Sequence, residues 1–427
     1  MLWEYIFFIS CFLILYNYGG YAIIAWFINK LRPAKPALPA EDHLPSISFI
    51  VAAFNEEDFI AEKIRNSLAQ DYPREKIELL FVTDGSSDRT PDIVRTYPDV
   101  RLLHEDERKG KSAAINRAVQ YARNEILVFS DANTTLNKEA VRNIARHYRD
   151  KKVGGVAGEK KVISPADSDD EVGGGEGLYW KYESFLKKVD SEFYSVVGAA
   201  GELFSLRKDL FEALPSSVIL DDFVLSLKVA GKGYRFIYEP DSYAMESPSF
   251  SLADEHKRKV RIAAGGFQSI AMLWPLLLFW KQPALSFLYI SHRVMRWAIS
   301  PLCFILALLS NIILAFQPDA AFHPRGIFHP GGIFRLFLVA QILFYGAAIA
   351  GKLANPRSGP LKILKLPSYF VFMNVSVIQG FFRYLNGRQS ATWEKARRAR
   401  PGPGPATTEH SPTGGRNLPP TRPGNLH

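Results

Sequence analysis

The chain has 427 residues, of which 47% are hydrophobic, and a formal net charge of +9; this length allows one large catalytic domain plus membrane segments. The excess of Lys and Arg indicates anionic partners, such as a phospholipid surface, a phosphorylated substrate or nucleic acid. The two cysteines, Cys11 and Cys303, both lie in apolar runs, which excludes a disulfide framework and a cysteine zinc site.

A long apolar run opens the chain. Residues 5–28 are almost without charge, and at about 1.5 Å of rise per residue a helix of this length crosses a hydrocarbon core of roughly 30 Å. Glu4 precedes the run and the positive residues follow it, which favours a retained anchor over a cleaved signal peptide and places the next domain in the cytoplasm. The sequence therefore predicts a transmembrane anchor at residues 1–30 and a Pro-rich linker at residues 31–45.

Apolar strands alternate with helical patterns after the linker. This alternation implies an α/β domain with a mostly parallel sheet and helices on both faces, which we place at residues 46–256. Asn55, Asp84 and Asp131 each follow the end of a predicted strand. Because ligands bind beyond the carboxyl ends of such strands, we expect these three side chains to converge on one rim of the sheet.

The chain becomes apolar again after a basic cluster. We predict interfacial helices at residues 257–297, with a separate short segment before a span at residues 298–316. A C-terminal transmembrane region covers residues 298–386, and the last of its apolar runs fits either a span or a re-entrant segment, so the number of crossings stays open. Positive charge and a Pro/Gly-rich composition predict a cytoplasmic, largely disordered tail at residues 387–427.

Acidic residues at two strand ends are candidates for nucleotide binding. Asp84 opens the run DGSSDRT, which fits either a tight turn with a helix cap or a carboxylate that accepts hydrogen bonds from a base or ribose. Asp131 and Asn133 lie in the run FSDANT, which fits either a turn after a buried strand or an Mg²⁺ or Mn²⁺ site shared with substrate phosphates.

An acidic pair and a basic run are candidates for the chemical step. Asp221 and Asp222 fit either a helix N-terminus or a general base, since neighbouring carboxylates raise one another's pKa. Arg258 and Arg261 fit either a membrane surface or neutralisation of a departing diphosphate, to which Lys111 can contribute.

The order of these motifs resembles that of the family 2 glycosyltransferases, especially membrane-bound polysaccharide synthases of the hyaluronan, chitin, cellulose and poly-N-acetylglucosamine type. The resemblance covers about residues 46–261. It implies a GT-A fold and an inverting, metal-assisted transfer from a nucleotide-diphospho-sugar, with UDP-sugar as the expected donor. It also implies a multi-pass protein of the plasma (inner) membrane, with membrane lipids as partners and the catalytic domain in the cytoplasm. The matching runs are VAAFNE at 51–56, TDGSSD at 83–88, GKSAAIN at 110–116, DAN at 131–133, GAAGE at 198–202, the pair at 221–222 and RKVRI at 258–262.

The resemblance assigns roles to individual residues. Asp222 corresponds to the catalytic base, with Asp221 beside it, and Asp131 and Asn133 correspond to the ligands of Mg²⁺ or Mn²⁺. The implied donor-binding residues are Ala53, Asn55, Glu56, Asp84, Lys111, Asp131, Arg258 and Arg261, and the implied acceptor-binding residues are Gly201, Glu202 and Trp393.

Departures from the family leave the product open. Asn133 stands where the family has a second acid, and Ile262 stands where it has a Trp of the acceptor site. Both a growing polysaccharide and single addition to a lipid-linked or glycolipid acceptor therefore fit the sequence. A nucleotidyltransferase is expected to carry a glycine-rich loop that residues 52–56 lack, and the retained acidic residues disfavour an inactive scaffold. The basic residues cluster beside apolar segments, which does not favour nucleic acid as a partner.

Overall fold

A computed structural model of the chain describes residues 1–32, 44–162, 173–247, 251–317, 330–354 and 360–387. Most of the predicted linker and nearly all of the predicted tail, including Trp393, lie outside the described residues. The strands are β1 Ile47–Ala53, β2 Ile77–Asp84, β3 Arg101–Glu105, β4 Ile126–Asp131, β5 Thr135–Leu136, β6 Val153–Val162, β7 Leu203–Arg207 and β8 Arg235–Glu246.

The eight strands form one sheet in the order β3-β2-β1-β4-β7-β6-β8-β5. Strands β3, β2, β1 and β4 are mutually parallel, whereas β7 runs antiparallel to both β4 and β6. The parallel strands match the predicted alternation of strands and helices. The antiparallel β7 joins them to β6, β8 and β5, which lie outside that alternation. The predicted fold class, a mostly parallel GT-A-type sheet with helices on both faces, is confirmed.

Thirteen α-helices accompany the sheet in the described residues. They are α1 Leu2–Leu15, α2 Tyr21–Leu31, α3 Ile60–Leu68, α4 Thr90–Arg95, α5 Lys111–Tyr121, α6 Ala140–Ala145, α7 Gly173–Phe193, α8 Asp221–Gly231, α9 Leu252–Met272, α10 Pro283–Tyr289, α11 Ser300–Ala315, α12 Pro330–Ala354 and α13 Lys365–Leu385.

Alternating side chains of the central strands build two cores. Ile50 and Ala52 of β1 pack in one core, with the apolar faces of α5 and α8. Phe49 and Val51 of the same strand pack in the other, with α3, α4 and α6. Successive side chains of a strand point to opposite faces, so a continuous apolar run such as β1 indicates a strand covered on both sides.

Three helices in the described part of the chain are long and apolar enough to cross a membrane: Leu2–Leu31, Pro283–Ala315 and Gly332–Ala354. The first joins α1 to α2 through one π-helical turn, and the second joins α10 to α11 through the π-helical segment Ile290–Ile299. Large apolar side chains on the first helix stay exposed, for example Phe12 at 66%, as expected for a surface that faces lipid. We expected a separate short segment before the span at residues 298–316; the structure has one helix from Pro283 to Ala315 instead, because His292 and Arg296 of that segment form ion pairs with α7.

Helix α13 packs along α9. Gly380 lies so close to α9 that an added Cβ would come within 2.4 Å of the Cβ of Ala263. His256 and Gln379 share a hydrogen bond of 2.6 Å between Nε2 and Oε1. The polar residues of 369–382 kept both a span and a re-entrant segment open, and one of them, Gln379, bonds to α9.

A buried group of charges joins α7 to the helix Pro283–Ala315. Glu183 and Asp190 of α7 meet His292, Arg293 and Arg296 of the π-helical segment, and we call these five residues the membrane-side cluster. The Asp190 Oδ2 to His292 Nδ1 distance is 2.5 Å, and Arg293 Nη2 lies 2.9 Å from Glu183 Oε2. Arg296 donates to the other oxygen of Glu183. These ion pairs fix α7 against a helix that is long and apolar enough to cross a membrane.

Candidate active site

The strand register brings the predicted binding residues to one rim of the sheet. Ala53 is paired with Thr83, the residue before Asp84, and Ala52 is paired with Asp131. Strands β1, β2 and β4 therefore end at the same level. The expectation that Asp84, Asp131 and the residues after β1 converge follows directly from this parallel pairing.

The carboxylate of Asp84 is buried and ties β2 to the start of α5. Its Oδ2 accepts hydrogen bonds from the backbone N–H of Lys109 at 3.1 Å and of Gly110 at 2.7 Å. Gly110 has a φ of +95°, a conformation that glycine adopts without strain. Asp84 thus fixes the loop that delivers Lys111, the first residue of α5, to the rim.

Two adjoining cavities open at this rim. The first has a volume of about 240 Å³ and is lined by Ala53, Phe54, Asp84, Arg108 and Lys111, among others. The guanidinium of Arg108 lies 3.7 Å from the ring centroid of Phe54, which is a cation–π contact that gives the cavity a flat wall. The second, of about 200 Å³, is lined by residues that include Lys111, Asp131 and Gly201. Lys111 therefore lines both cavities.

The loop after β1 is tied to the loop after β2. Asn55 has a φ of +54°, and its Oδ1 accepts a hydrogen bond from the N–H of Ser87 at 2.8 Å. The N–H of the buried Glu56 donates to Thr90 Oγ1 at 2.8 Å. Through these contacts Asn55 and Glu56 hold the loop that follows Phe54, a residue that lines the first cavity.

Lys111 lies at the centre of the acidic residues. Its Nζ is 2.7 Å from Asp131 Oδ1. A Cβ added to Gly201 would lie 3.1 Å from Lys111 Nζ and 3.3 Å from Asp222 Oδ2, so the loop after α7 packs against both side chains. Burial acts to lower the pKa of Lys111, but the negative charges of Asp131, Asp221 and Asp222 outweigh it and raise the pKa. Lys111 therefore carries a positive charge at neutral pH.

Asp222 has the protonation behaviour of a general base. It lies at the start of α8 beside the buried Asp221. Burial, and then the charge of Asp221, raise the pKa of Asp222 to about 7, while Lys111 acts in the opposite direction. A base whose pKa lies near the operating pH takes up a proton efficiently and is still ionised in a large part of the molecules.

The donor set at the end of β4 fits a divalent cation that shares its ligands with a substrate. Asp131 supplies a carboxylate and Asn133, two residues further on, supplies a neutral oxygen, and both are partly exposed. Among the described residues no three His, Cys, Asp or Glu side chains form a metal-binding group. Mg²⁺ and Mn²⁺ sites of this kind use one or two carboxylates and complete the shell with substrate phosphates and water.

Lys63 contacts the residues at the end of β4, a role that the sequence did not predict. Its side chain on α3 is 2% exposed, and its Nζ donates to Ser130 Oγ at 2.6 Å and to the backbone oxygen of Thr134 at 3.0 Å. Burial lowers the pKa of Lys63 to about 7, against the charge of Asp131. The available signal was a lysine between Ile60 and Ile64 on an apolar helix face.

Two of the residues predicted on the acceptor side, Gly201 and Glu202, lie next to Asp222, and Glu202 belongs to a second charged group. Glu202 follows Gly201 and forms a salt bridge with the buried Lys160, which also bonds to Glu246. Burial acts to raise the pKa of Glu202, but the ammonium of Lys160 outweighs it and holds the pKa well below its usual range.

The two arginines predicted for the donor lie on α9. Arg258 Nε lies 2.9 Å from Oε2 of the fully buried Glu255, and its charge also acts on Glu202. Arg261 lies one turn further along α9 and is partly buried. Arg258 is thus placed beside the Glu202 group, whereas Lys111 is the cation in contact with Asp131.

The sequence of the sheet region matches a known family. Residues 48–214 match the family model described as glycosyl transferase family 2. The matched segment includes Asp84, Lys111, Asp131 and Gly201, but it ends before Asp222.

Characterised relatives include bacterial polysaccharide synthases. The chain is 25% identical over 291 residues to the poly-beta-1,6-N-acetyl-D-glucosamine synthase of Staphylococcus aureus strain MSSA476, covering 62% of this chain and 65% of that protein. It is 22% identical over 322 residues to the enzyme of the same name from Staphylococcus epidermidis, covering 73% and 77%. The chain thus spans somewhat less than two thirds of the length of the Staphylococcus aureus relative.

A solved structure shares the fold. It is the mannosyltransferase PcManGT from Pyrobaculum calidifontis in complex with GDP-Man and Mn²⁺, with a TM-score of 0.63 and 24% identity, covering 89% of this chain and 99% of that one. At this identity the likeness supports the architecture, and the family match supports the class of enzyme. Residues 48–214 are therefore similar to a glycosyltransferase family 2 domain, and the sheet that carries them has a GT-A-type architecture.

Proposed function

We propose that this chain is an inverting membrane glycosyltransferase that uses a nucleotide-diphospho-sugar, with UDP as the nucleotide, to form a β-glycosidic bond. The observation that carries the proposal is the position of Lys111, whose ammonium contacts Asp131 and lies beside Gly201 and Asp222. One cation therefore lies between Asp131, a candidate metal ligand, and Asp222, whose pKa is raised. This arrangement suits sugar transfer from a diphosphate, because the cation stabilises the negative charge of the leaving group.

In this proposal the first cavity holds the nucleoside. Ala53, Asp84 and the Arg108–Phe54 wall border it, and Asn55 and Glu56 hold the loop that follows Phe54. The diphosphate lies over the second cavity, where Lys111 neutralises the charge that grows as the bond to the sugar breaks. Asp131 and Asn133 would hold Mg²⁺ or Mn²⁺ there, which when bound acts as a Lewis acid toward the diphosphate oxygens. Arg258 and Arg261 add positive charge from α9.

Asp222 acts as the base in the chemical step. Its carboxylate removes the proton from an acceptor hydroxyl, whose oxygen attacks the anomeric carbon from the face opposite the nucleotide. The configuration at that carbon inverts, so an α-linked donor gives a β-linked product. Asp221 keeps the pKa of Asp222 high, and Gly201 and Glu202 border the space in which the acceptor lies.

The membrane part follows from the three candidate spans. Helix Leu2–Leu31 is the proposed anchor, and Pro283–Ala315 and Gly332–Ala354 are the proposed later crossings. The catalytic domain at residues 46–256 lies on the cytoplasmic side of the plasma (inner) membrane, with α9 at the lipid surface. The acceptor is a polysaccharide or a lipid-linked sugar. Trp393 keeps its proposed role on the acceptor side.

Single addition to a lipid-linked acceptor is the second candidate. It is favoured by the small number of candidate spans in the described residues, because a polymer channel needs several helices lined by polar and aromatic groups. Sizing the radiolabelled product separates the two candidates: a ladder of long chains indicates a polymerase, and a single product indicates one addition.

The test of the proposed function uses full-length protein in detergent with Mn²⁺, a set of UDP-sugars that begins with UDP-N-acetylglucosamine, and GDP-mannose. These donors follow the names of the relatives and of the structural neighbour. We expect nucleotide release with a UDP-sugar, and a fall in transfer of about 10³-fold in Asp222→Asn, with donor binding within about twofold of wild type.

The matched control is Asp209→Asn, which changes an exposed aspartate outside the site and should leave transfer unchanged. Near-normal transfer by Asp222→Asn would show that another group is the base. Release from GDP-mannose alone would overturn the choice of UDP, and no release from any donor would overturn the proposed function as a whole.

A further inference from the structure

Trp180 of α7 lies among three ammonium groups from three elements. Lys160 Nζ of β6 is 5.0 Å from the ring centroid, Lys259 Nζ of α9 is 5.8 Å away and Lys187 Nζ of α7 itself is 5.9 Å away. The indole is partly exposed. A large aromatic surface that is held from several sides and still reaches solvent is a common feature of ligand sites.

Direct contacts connect this indole to the proposed base. Gly201 packs against Asp222, and the next residue, Glu202, forms a salt bridge with Lys160. Lys160 in turn lies next to Trp180. The indole therefore lies on the Glu202 side of the base, away from the cavity that Asp84 and Arg108 border.

Lys187 is a buried cation whose counter-ion is absent from the described residues. Its side chain is 3% exposed, and in the described part of the chain it contacts the rings of Trp180 and Tyr238, at 5.9 and 5.7 Å, without an ion pair. The hydroxyl of Tyr238 donates to Glu159 Oε2 at 2.5 Å, so it is turned to a different partner. The other two lysines differ, because Lys160 and Lys259 both form ion pairs with glutamates.

An ammonium group that is largely removed from water without a negative partner is unfavourable. Aromatic faces at nearly 6 Å compensate for only part of this cost. An anion that enters beside Trp180 would supply the missing partner and gain a strong, charge-assisted contact.

From these contacts we propose that Trp180 and Lys187 form an acceptor subsite for a glycosyl acceptor that carries a negative charge. The apolar face of the acceptor sugar packs on the indole, and an anionic group, either the phosphate of a lipid-linked sugar or the carboxylate of an acidic sugar, binds Lys187. The inference rests on the proposed function and deepens it, because it names the class of acceptor.

The test compares three acceptors that share a decyl chain: a neutral decyl glucoside, a decyl glucuronide and a decyl glucosyl phosphate. Full-length protein is assayed in detergent with the donor that wild type uses. We expect wild type to prefer one or both charged acceptors, and the preferred one identifies the anion. In Lys187→Met we expect the KM for that acceptor to rise about tenfold, with the KM for the neutral glucoside within about twofold of wild type.

Three further variants separate a binding role from a structural one. Lys188→Met changes the adjacent, exposed lysine of the same helix and should match wild type with every acceptor. Trp180→Ala should raise the KM for all three acceptors, whereas Trp180→Phe, which keeps an aromatic ring, should raise it much less. Donor hydrolysis without acceptor should stay at the wild-type rate in all four variants, since none of these residues lines the donor cavities.

Equal use of charged and neutral acceptors by wild type would overturn the proposal, and so would a Lys187→Met protein that matches wild type. Equal losses with all acceptors in Lys187→Met, together with slower donor hydrolysis, would assign Lys187 a structural role and also overturn it. Failure of wild type to release nucleotide from any donor is a different result, because it would contradict the proposed function itself.

Discussion

The donor rim and the membrane-side cluster are two groups of charges in one chain with opposite arrangements. The donor rim, formed by Asp84, Lys111, Asp131 and Asp222, lies at strand and helix ends around open cavities. The membrane-side cluster lies between two helices with Glu183 and His292 almost fully buried. The charged groups of the rim are accessible to a ligand, whereas those of the cluster form ion pairs with one another.

Burial and pairing of the charges, rather than charge alone, distinguish a ligand site from a contact that only holds two elements together. At the rim, Lys111 faces three carboxylates, so the local charge is unbalanced, as the proposed binding of a diphosphate with a cation requires. In the cluster, burial acts to raise the pKa of Glu183, but the charges of Arg293 and Arg296 outweigh it and hold the pKa well below its usual range. A buried ion-pair network of this kind mainly fixes the position of α7 on the neighbouring helix.

Removing the central carboxylate of the cluster should have the largest effect. Glu183→Gln leaves two arginines without their shared partner, and breaking a buried ion pair in this way costs about 3–5 kcal/mol of stability. We expect a clear fall in the midpoint of thermal unfolding in detergent, measured by tryptophan fluorescence. The exposed Glu192 of the same helix provides the control, and Glu192→Gln should change stability by less than about 0.5 kcal/mol. A Glu183→Gln protein as stable as the control would show that the cluster does not act as a joint.

Removing the central cation of the rim should act on activity instead. Lys111→Met takes away the charge between Asp131 and Asp222, and losing one such electrostatic contact typically costs about 10²-fold in kcat/KM. Without the ammonium group, the repulsion between these carboxylates and the diphosphate is offset less, so donor binding should also weaken. Titration with UDP measures this change. The matched variant Lys109→Met changes an exposed lysine of the same loop, and its activity should stay close to that of wild type. If Lys111→Met instead lowered stability while its folded fraction kept full activity, the rim would have the structural role that we assign to the cluster.

Much of the rim was predictable because its positions are encoded locally. The runs that end at Asp84 and Asp131 are short, apolar and followed by turn residues, and parallel pairing then brings their ends together without further information. The roles assigned to these residues stay predictions. Lys63 was missed because a lysine on an apolar helix face gives no sign of which strand end it supports.

The cluster was not predictable because its partners are distant in the sequence. Arg296 and Glu183 are separated by 113 residues, and periodicity says nothing about such pairs. The short segment that we expected apart from the span carries His292, Arg293 and Arg296, and charged residues disfavour a membrane helix. The structure resolves this conflict by pairing the charges with α7, so one continuous helix from Pro283 to Ala315 is compatible with the sequence.

The pH dependence of transfer should report on the rim and not on the cluster. With the pKa of Asp222 at about 7, the base is protonated below that pH, so kcat/KM should fall about tenfold for each pH unit below 7 and level off above it. The measurement is a profile of transfer between about pH 5 and pH 9, with buffers of constant ionic strength.

Asp221→Asn sharpens this prediction. The charge of Asp221 raises the pKa of Asp222, so its removal should lower that pKa and move the acid limb of the profile to lower pH. A limb that stays in place, or one that moves to higher pH, would contradict the assignment of Asp222 as the titrating base.

The smallest expected effect tests how tightly the rim is packed. In Gly201→Ala the new Cβ would lie 3.1 Å from Lys111 Nζ and 3.3 Å from Asp222 Oδ2, so one of these side chains must shift by a few tenths of an ångström. We expect kcat/KM to fall about threefold to tenfold, since small displacements of catalytic groups reduce rate, while the unfolding midpoint stays close to that of wild type. Gly346→Ala, where nothing lies within 4 Å of the added Cβ, is the control. If Gly201→Ala keeps full activity, the long Lys111 side chain absorbs the change, and the rim is then better described as an adaptable group of charges than as a fixed geometry.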